Sequence, residues 1–246
     1  MNSADSIHTG FAGAGAAGTG SSPVEEVPAP WNLNGSGLII IMRSRLDKLA
    51  GDARIPEKLR ASLKTPLSVL MYVNYTHSNA GPYQELLYIP GTVAFTGRRL
   101  PTISNIVVSS VSSVVNGRRN WGIPKNLCSF GNHDGPEGLR EISLESNGLP
   151  QFQLAYRGKG FSFPITTGLV PRFLKTLGQH WEGSEFVYSP SASGRARFAS
   201  IHQLESLGDS FPDIDLKDVL FALEITRFNM VFPVPQILQA GPRLKG

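Results

Sequence analysis

Runs of β-branched and aromatic residues, each closed by glycine, proline, asparagine or serine, limit most what this chain can fold into. They occupy residues 38–42, 67–75, 84–89, 103–115, 139–145, 151–156, 161–166, 186–188, 196–202 and 220–232. Side chains of these types suit a pleated, half-buried surface, and the turn-formers between them predict short connections. Asn147-Gly148, set between two such runs, predicts a hairpin. Two stretches read as helices: 47–63 with a break at Pro56, and 170–181 opening near Pro171, with apolar residues at 173, 174 and 177. So many strands without regularly alternating helices point to a mainly β (α+β) fold, antiparallel rather than doubly wound.

Composition narrows the function. At 41% hydrophobic and 17% charged residues, the chain can bury a core and is not disordered as a whole. A lone cysteine, Cys128, excludes an internal disulfide framework and a cysteine-rich zinc module, and reads as a small buried hydrophobe. The net charge of +4 comes without a dense Lys/Arg patch, so no nucleic-acid partner is expected. No stretch supplies the roughly 20 apolar residues that a membrane span needs, and no secretory signal is evident, which predicts a cytoplasmic protein without membrane contact. His8, His77, His133, His180 and His202 lack metal-ligand spacing, so neither a metal nor a cofactor is expected. Asp213-Ile214-Asp215 reads as a turn into the last strand. Residues 1–29, rich in Gly, Ala and Ser, read as a flexible tail ahead of a domain over 30–246. The G-x-G-x-x-G at Gly13, Gly15 and Gly18 has no strand before it and no helix after it, so no dinucleotide site is expected.

The stretch that carries chemistry is Gly117-Arg118-Arg119-Asn120-Trp121-Gly122-Ile123-Pro124-Lys125-Asn126-Leu127. Gly122 and Pro124 constrain the backbone, so Lys125 is expected on a fixed turn rather than a mobile tip. A lysine held this way can be desolvated, which lowers its pKa and leaves a neutral amine able to attack a carbonyl.

The spacing G-R-x-x-x-G-x-P-K-x-L is similar to the Schiff-base lysine segment of the acetoacetate decarboxylase superfamily. Gly81-Pro82-Tyr83-Gln84-Glu85 resembles the family segment that carries an active-site glutamate, and residues 194–235 are similar in layout to its C-terminal third. The resemblance covers about residues 30–240. It implies curved antiparallel sheets in a double-layered β-barrel with a few short helices, often assembled into homo-oligomers. It also implies a lyase-type enzyme whose lysine forms a Schiff base with a small keto-compound substrate. Residue by residue, Lys125 becomes the nucleophile, Glu85 the group that positions substrate or shuttles protons, and Arg118 a substrate contact or a support for the lysine loop.

Two departures widen the implied chemistry from decarboxylation to aldol or dehydration steps. Asn126 follows the lysine where the decarboxylase has a second lysine, and Asn34-Gly35-Ser36-Gly37 lacks the family's arginine. With no second lysine to depress the pKa, as neighbouring charge does in acetoacetate decarboxylase itself, desolvation is left to keep the amine neutral. The alternative function is a non-catalytic small-molecule-binding barrel of the same fold.

Overall fold

The computed structural model describes residues 23–64 and 66–239; residues 1–22 of the expected tail over 1–29, with Gly13, Gly15 and Gly18, lie outside them, as does the Leu174 side chain. The first strands are β1 (Trp31–Arg43), β2 (Leu67–His77), β3 (Tyr83–Ile89), β4 (Thr92–Phe95), β5 (Arg98–Pro101) and β6 (Asn105–Val108). After them come β7 (Asn126–Leu127), β8 (Ser129–Asp134), β9 (Leu139–Ser146), β10 (Leu149–Thr166) and β11 (Leu177–Trp181). The last are β12 (Ser184–Tyr188), β13 (Ser191–Ser206), β14 (Val219–Phe232) and β15 (Gln236–Gln239). Four short helices, α1 (Leu46–Leu49), α2 (Glu57–Arg60), α3 (Val111–Trp121) and α4 (Arg172–Lys175), interrupt them. No helix among the described residues is long and apolar enough to cross a membrane.

Ten strands form one sheet in the order β7-β6-β3-β2-β1-β14-β13-β10-β9-β8, antiparallel except for the short β6–β7 pairing. Its two edge strands, β7 and β8, are separated in sequence by Cys128 alone. A flat sheet of this width would hold its edges roughly 40 Å apart, whereas two residue steps reach about 7 Å. The sheet must therefore roll up, and it forms a nearly closed barrel.

The period of two then creates two cores. Leu38, Ile40, Leu70, Tyr72, Leu86 and Tyr88 point inward, against Ile142, Leu144, Phe152 and Leu154 of the opposite wall. The alternate residues Val73, Tyr75, Tyr83 and Leu87 point outward into a second cluster with Trp31, Trp121, Phe186 and Tyr188. This outer core lies beneath α3, β11 and β12, so the central strands are buried on both faces and the barrel is double-layered.

Several expectations change in detail. The run at 103–115 is not one strand: β6 ends at Val108, and Ser110 caps α3 by accepting a hydrogen bond from Ser113 N. Tertiary packing of one face overrides the β preference of Val111, Val114 and Val115. The helix expected over 170–181 survives only as α4, because residues 177–181 pair along their whole length with β12. The expected 47–63 helix divides into α1 and α2, each of one turn, with Pro56 as the N-cap of α2. Runs 151–156 and 161–166 belong to one strand, β10, whose register with β13 shifts between Lys159 and Phe163. The hairpin at Asn147-Gly148 forms, with both residues at positive φ as a type I′ turn requires.

Residues 23–29, the last part of the expected tail over 1–29, are tied to α3. Asn116 accepts from Val27 N at 2.8 Å and donates to Glu25 O at 3.0 Å, while Asn120 donates to Val27 O at 2.8 Å.

Candidate active site

Three elements deliver the site. On β3, Glu85 shares the outward face with Tyr83 and Leu87, and the register sets it between Val73 of β2 and Val108 of β6. On α3, the residues facing the sheet are Ser113, Asn116, Gly117 and Trp121, a single helical stripe. The helix ends at Gly122, whose φ of 63° is the left-handed conformation that glycine adopts without strain. A side chain there would also strike Trp181 and Phe186. The chain then turns tightly at Pro124, with Lys125 N donating to Ile123 O at 2.8 Å, and Lys125 is returned beneath the helix. Gly117 makes room for it: a Cβ at that position would lie 2.7 Å from Lys125 Cδ.

Lys125 and Glu85 are thereby brought together in the outer core, each only 4% exposed. Lys125 Nζ donates to Glu85 Oε2 at 2.7 Å, to Ser113 Oγ at 3.0 Å and to Tyr83 Oη at 3.4 Å. Tyr75 Oη donates to Glu85 Oε1 at 3.3 Å, and the Tyr75 and Tyr83 rings lie 4.6 Å apart. The ammonium also sits 5.0 Å from the Tyr83 ring centroid.

Arg118 does not join them. Its Nε donates to Lys125 O and its terminal nitrogen to Asn126 Oδ1, both at 2.9 Å, and the guanidinium lies over Trp181. It holds the backbone of the lysine loop from outside. Cys128 is buried, with Sγ toward Glu145 O at 3.1 Å.

The electrostatics differ from the expected neutral amine. Burial penalises the charge on Lys125, but the Glu85 carboxylate and Tyr83 outweigh it and hold the lysine pKa above its ordinary value. The resting pair is an ammonium facing a carboxylate. Burial, reinforced by Glu85, raises the Tyr75 pKa well above the usual phenol value. Burial raises that of Tyr83 despite the opposing Lys125 charge. Both phenols are therefore neutral, Tyr75 donating to Glu85 and Tyr83 accepting from Lys125.

Sequence reasoning missed Ser113 and Tyr75. Ser113 was hidden inside the run read as a strand, although Ser110-x-x-Ser113 is a helix-start signal; Tyr75 falls at the end of a correctly read strand, two residues after Val73 on the same face. Two surface clefts of about 560 and 450 Å³ are lined by none of Lys125, Glu85 or Ser113. The smaller one shares Leu33 and Met230 with the cluster that walls Lys125. Among the described residues no group of His, Cys, Asp or Glu is arranged to hold a metal ion.

No family model and no curated protein matches the sequence. Solved structures match it in shape. The acetoacetate decarboxylase of Legionella pneumophila superposes with a TM-score of 0.63 at 14% identity, over 89% of this chain and 93% of that one. The fold is that of acetoacetate decarboxylase. An acetoacetate decarboxylase-like enzyme from Sphingomonas wittichii RW1 shares this decarboxylase fold, with a TM-score of 0.58 at 15% identity over 93% of this chain and 99% of that one. So does the enduracididine biosynthesis enzyme MppR complexed with pyruvate, with a TM-score of 0.60 at 14% identity over 94% and 100%. MppR is also similar when complexed with the condensation product of pyruvate and imidazole 4-carboxaldehyde.

Proposed function

We propose that the protein is a lyase-type enzyme in which Lys125 forms a Schiff base with a small keto compound. One observation carries this reading: a lysine amine buried in an aromatic core and hydrogen-bonded at 2.7 Å to a buried carboxylate. The pair is a proton exchanger. Transfer of one proton from Lys125 Nζ to Glu85 leaves a neutral amine, which adds to the substrate carbonyl carbon. Glu85 returns that proton to the departing oxygen, water leaves, and an iminium faces the regenerated carboxylate. The iminium draws in the electrons of a bond at the neighbouring carbon, so carbon dioxide, an aldehyde fragment or a proton departs and an enamine remains. Protonation of the enamine and addition of water release the product and the free lysine. Ser113 Oγ and Tyr83 Oη orient Nζ, and Tyr75 orients the carboxylate. Arg118 supports the loop.

The pyruvate and condensation-product complexes of MppR support carbonyl chemistry on this fold. The same reading places the protein in the cytoplasm, supported by an unpaired, buried Cys128. It also places the chain in a homo-oligomer, supported by Phe198 and Phe221, which are 57% and 46% exposed on the sheet.

The second reading, a binding barrel without catalysis, is favoured by the lysine's raised pKa, since an ammonium held this firmly could serve packing alone. Oxygen exchange separates the two. A Schiff-base enzyme accelerates exchange of a ketone's carbonyl oxygen with ¹⁸O-labelled water, and Lys125→Ala abolishes the acceleration. A binding barrel leaves the exchange at its solution rate in both proteins.

A further inference from the structure

The buried surroundings of Lys125 also constrain the charge of what can react there, an inference that rests on the Schiff-base reading above. Lys125 and Glu85 begin as one positive and one negative charge. After the carbonyl is captured and water leaves, an iminium and a carboxylate remain, so the sum is still zero. An uncharged carbonyl compound thus keeps the site neutral at every step. A keto acid brings one more buried negative charge and requires another cation beside it.

The fold supplies no such cation there among the described residues. Arg118 is bound to the Lys125 carbonyl and Asn126 rather than to the buried pair, and Arg119 pairs with Glu26 at the surface. Where β1 pairs with β2 opposite Tyr75 and Val73, Gly35 and Gly37 admit no side chain, because a Cβ would run into the carbonyl oxygens of Asn74 and Tyr72. Lys175 lies on the adjoining cleft, with its Nζ donating to Thr167 O. The outer core itself is walled by Trp31, Val108, Trp121, Phe186 and Tyr188.

The polar groups inside are neutral as well. Tyr75 is an uncharged donor to Glu85, and Ser113 Oγ and Tyr83 Oη are uncharged acceptors from Lys125 Nζ.

We propose that the site at Lys125 takes an uncharged, largely apolar aldehyde or ketone rather than a keto acid. Aldol-type cleavage or dehydration is then the chemistry, since decarboxylation needs a carboxylate for which no partner cation stands beside the pair among the described residues.

Matched pairs test this on the full chain: levulinate against methyl levulinate, and acetoacetate against methyl acetoacetate. Each is trapped with cyanoborohydride, the adduct on the Lys125 peptide is quantified with time, and rates are divided by those for a simple model amine. The expected result is capture at least fivefold faster for both esters than for their acids. A smaller ratio, or a preference for the acids, overturns the substrate class and leaves the Schiff-base reading standing. No adduct on the Lys125 peptide from any of the four overturns both.

Discussion

Two carboxylates are buried in this sheet, on opposite faces, and their partners differ. Glu224 of β14 pairs across the sheet with Leu38, so it faces the barrel interior, where it is 2% exposed. Arg197 reaches it at 2.5 Å and Arg140 at 3.6 Å, both from positions open to water. Glu85 faces the outer layer, and its partner Lys125 is as deeply buried as itself. An arginine cannot shed its proton at any accessible pH, so the Glu224 cluster can only hold structure. A lysine can, and in the proposed reaction it passes that proton to the carboxylate it touches. Burial of a carboxylate alone therefore does not mark a candidate reactive site; burial beside a partner able to exchange a proton does.

The largest expected effect comes from breaking the Lys125 side of that contrast. Lys125→Met strands the Glu85 carboxylate in an apolar core and should lower stability at pH 7 by about 3–5 kcal/mol. Adding Glu85→Gln should restore more than half of the loss. Denaturant midpoints of the three proteins decide this, and a single variant at least as stable as the parent would reinstate the neutral amine. On the other face, Arg197→Met should cost about 2 kcal/mol, because Glu224 keeps Arg140 as a partner. It should leave carbonyl-oxygen exchange untouched; loss of exchange in this variant would join the two sites that the contrast separates. Gly117→Ala should cost about 1–2 kcal/mol by crowding the lysine stem, and should slow exchange by moving Nζ off Glu85. Exchange at the parental rate would show that the lysine has room to spare.

The smallest effect is on pH dependence. The folded pKa of Lys125 is raised, so the stabilisation from its charge is fully present below the unfolded value of about 10.4 and is lost as pH rises through the folded value. The stability difference between the parent and the Lys125→Met/Glu85→Gln protein should hold steady from pH 7 to 9.5 and shift against the parent at higher pH. A parent that gains on the double variant between pH 7 and 9.5 would instead indicate a depressed lysine.

The sequence carried the mainly antiparallel β class because its strands are marked locally, by β-branched runs and by turn residues such as Asn147-Gly148, whereas the barrel came from the family resemblance. It misplaced α3 because Val111, Val114 and Val115 favour strands in isolation, and only the packing of Ser113, Gly117 and Trp121 on the sheet makes the segment helical. Lys125 was legible for a related reason: Gly122 and Pro124 write the constrained turn into the sequence. Its charge state was not, because that depends on a register that brings β3 and the helix-to-β7 turn within 2.7 Å of each other. No local pattern encodes the distance between residues forty positions apart.

Reductive trapping with peptide mapping tests the central claim most directly. The parent and Lys125→Ala are each incubated with an uncharged ketone and cyanoborohydride, then digested. The expected result is one reduced adduct, on the peptide containing Lys125, absent from the variant. An adduct spread over exposed lysines such as Lys217, or one that persists in Lys125→Ala, would contradict a Schiff base at this site.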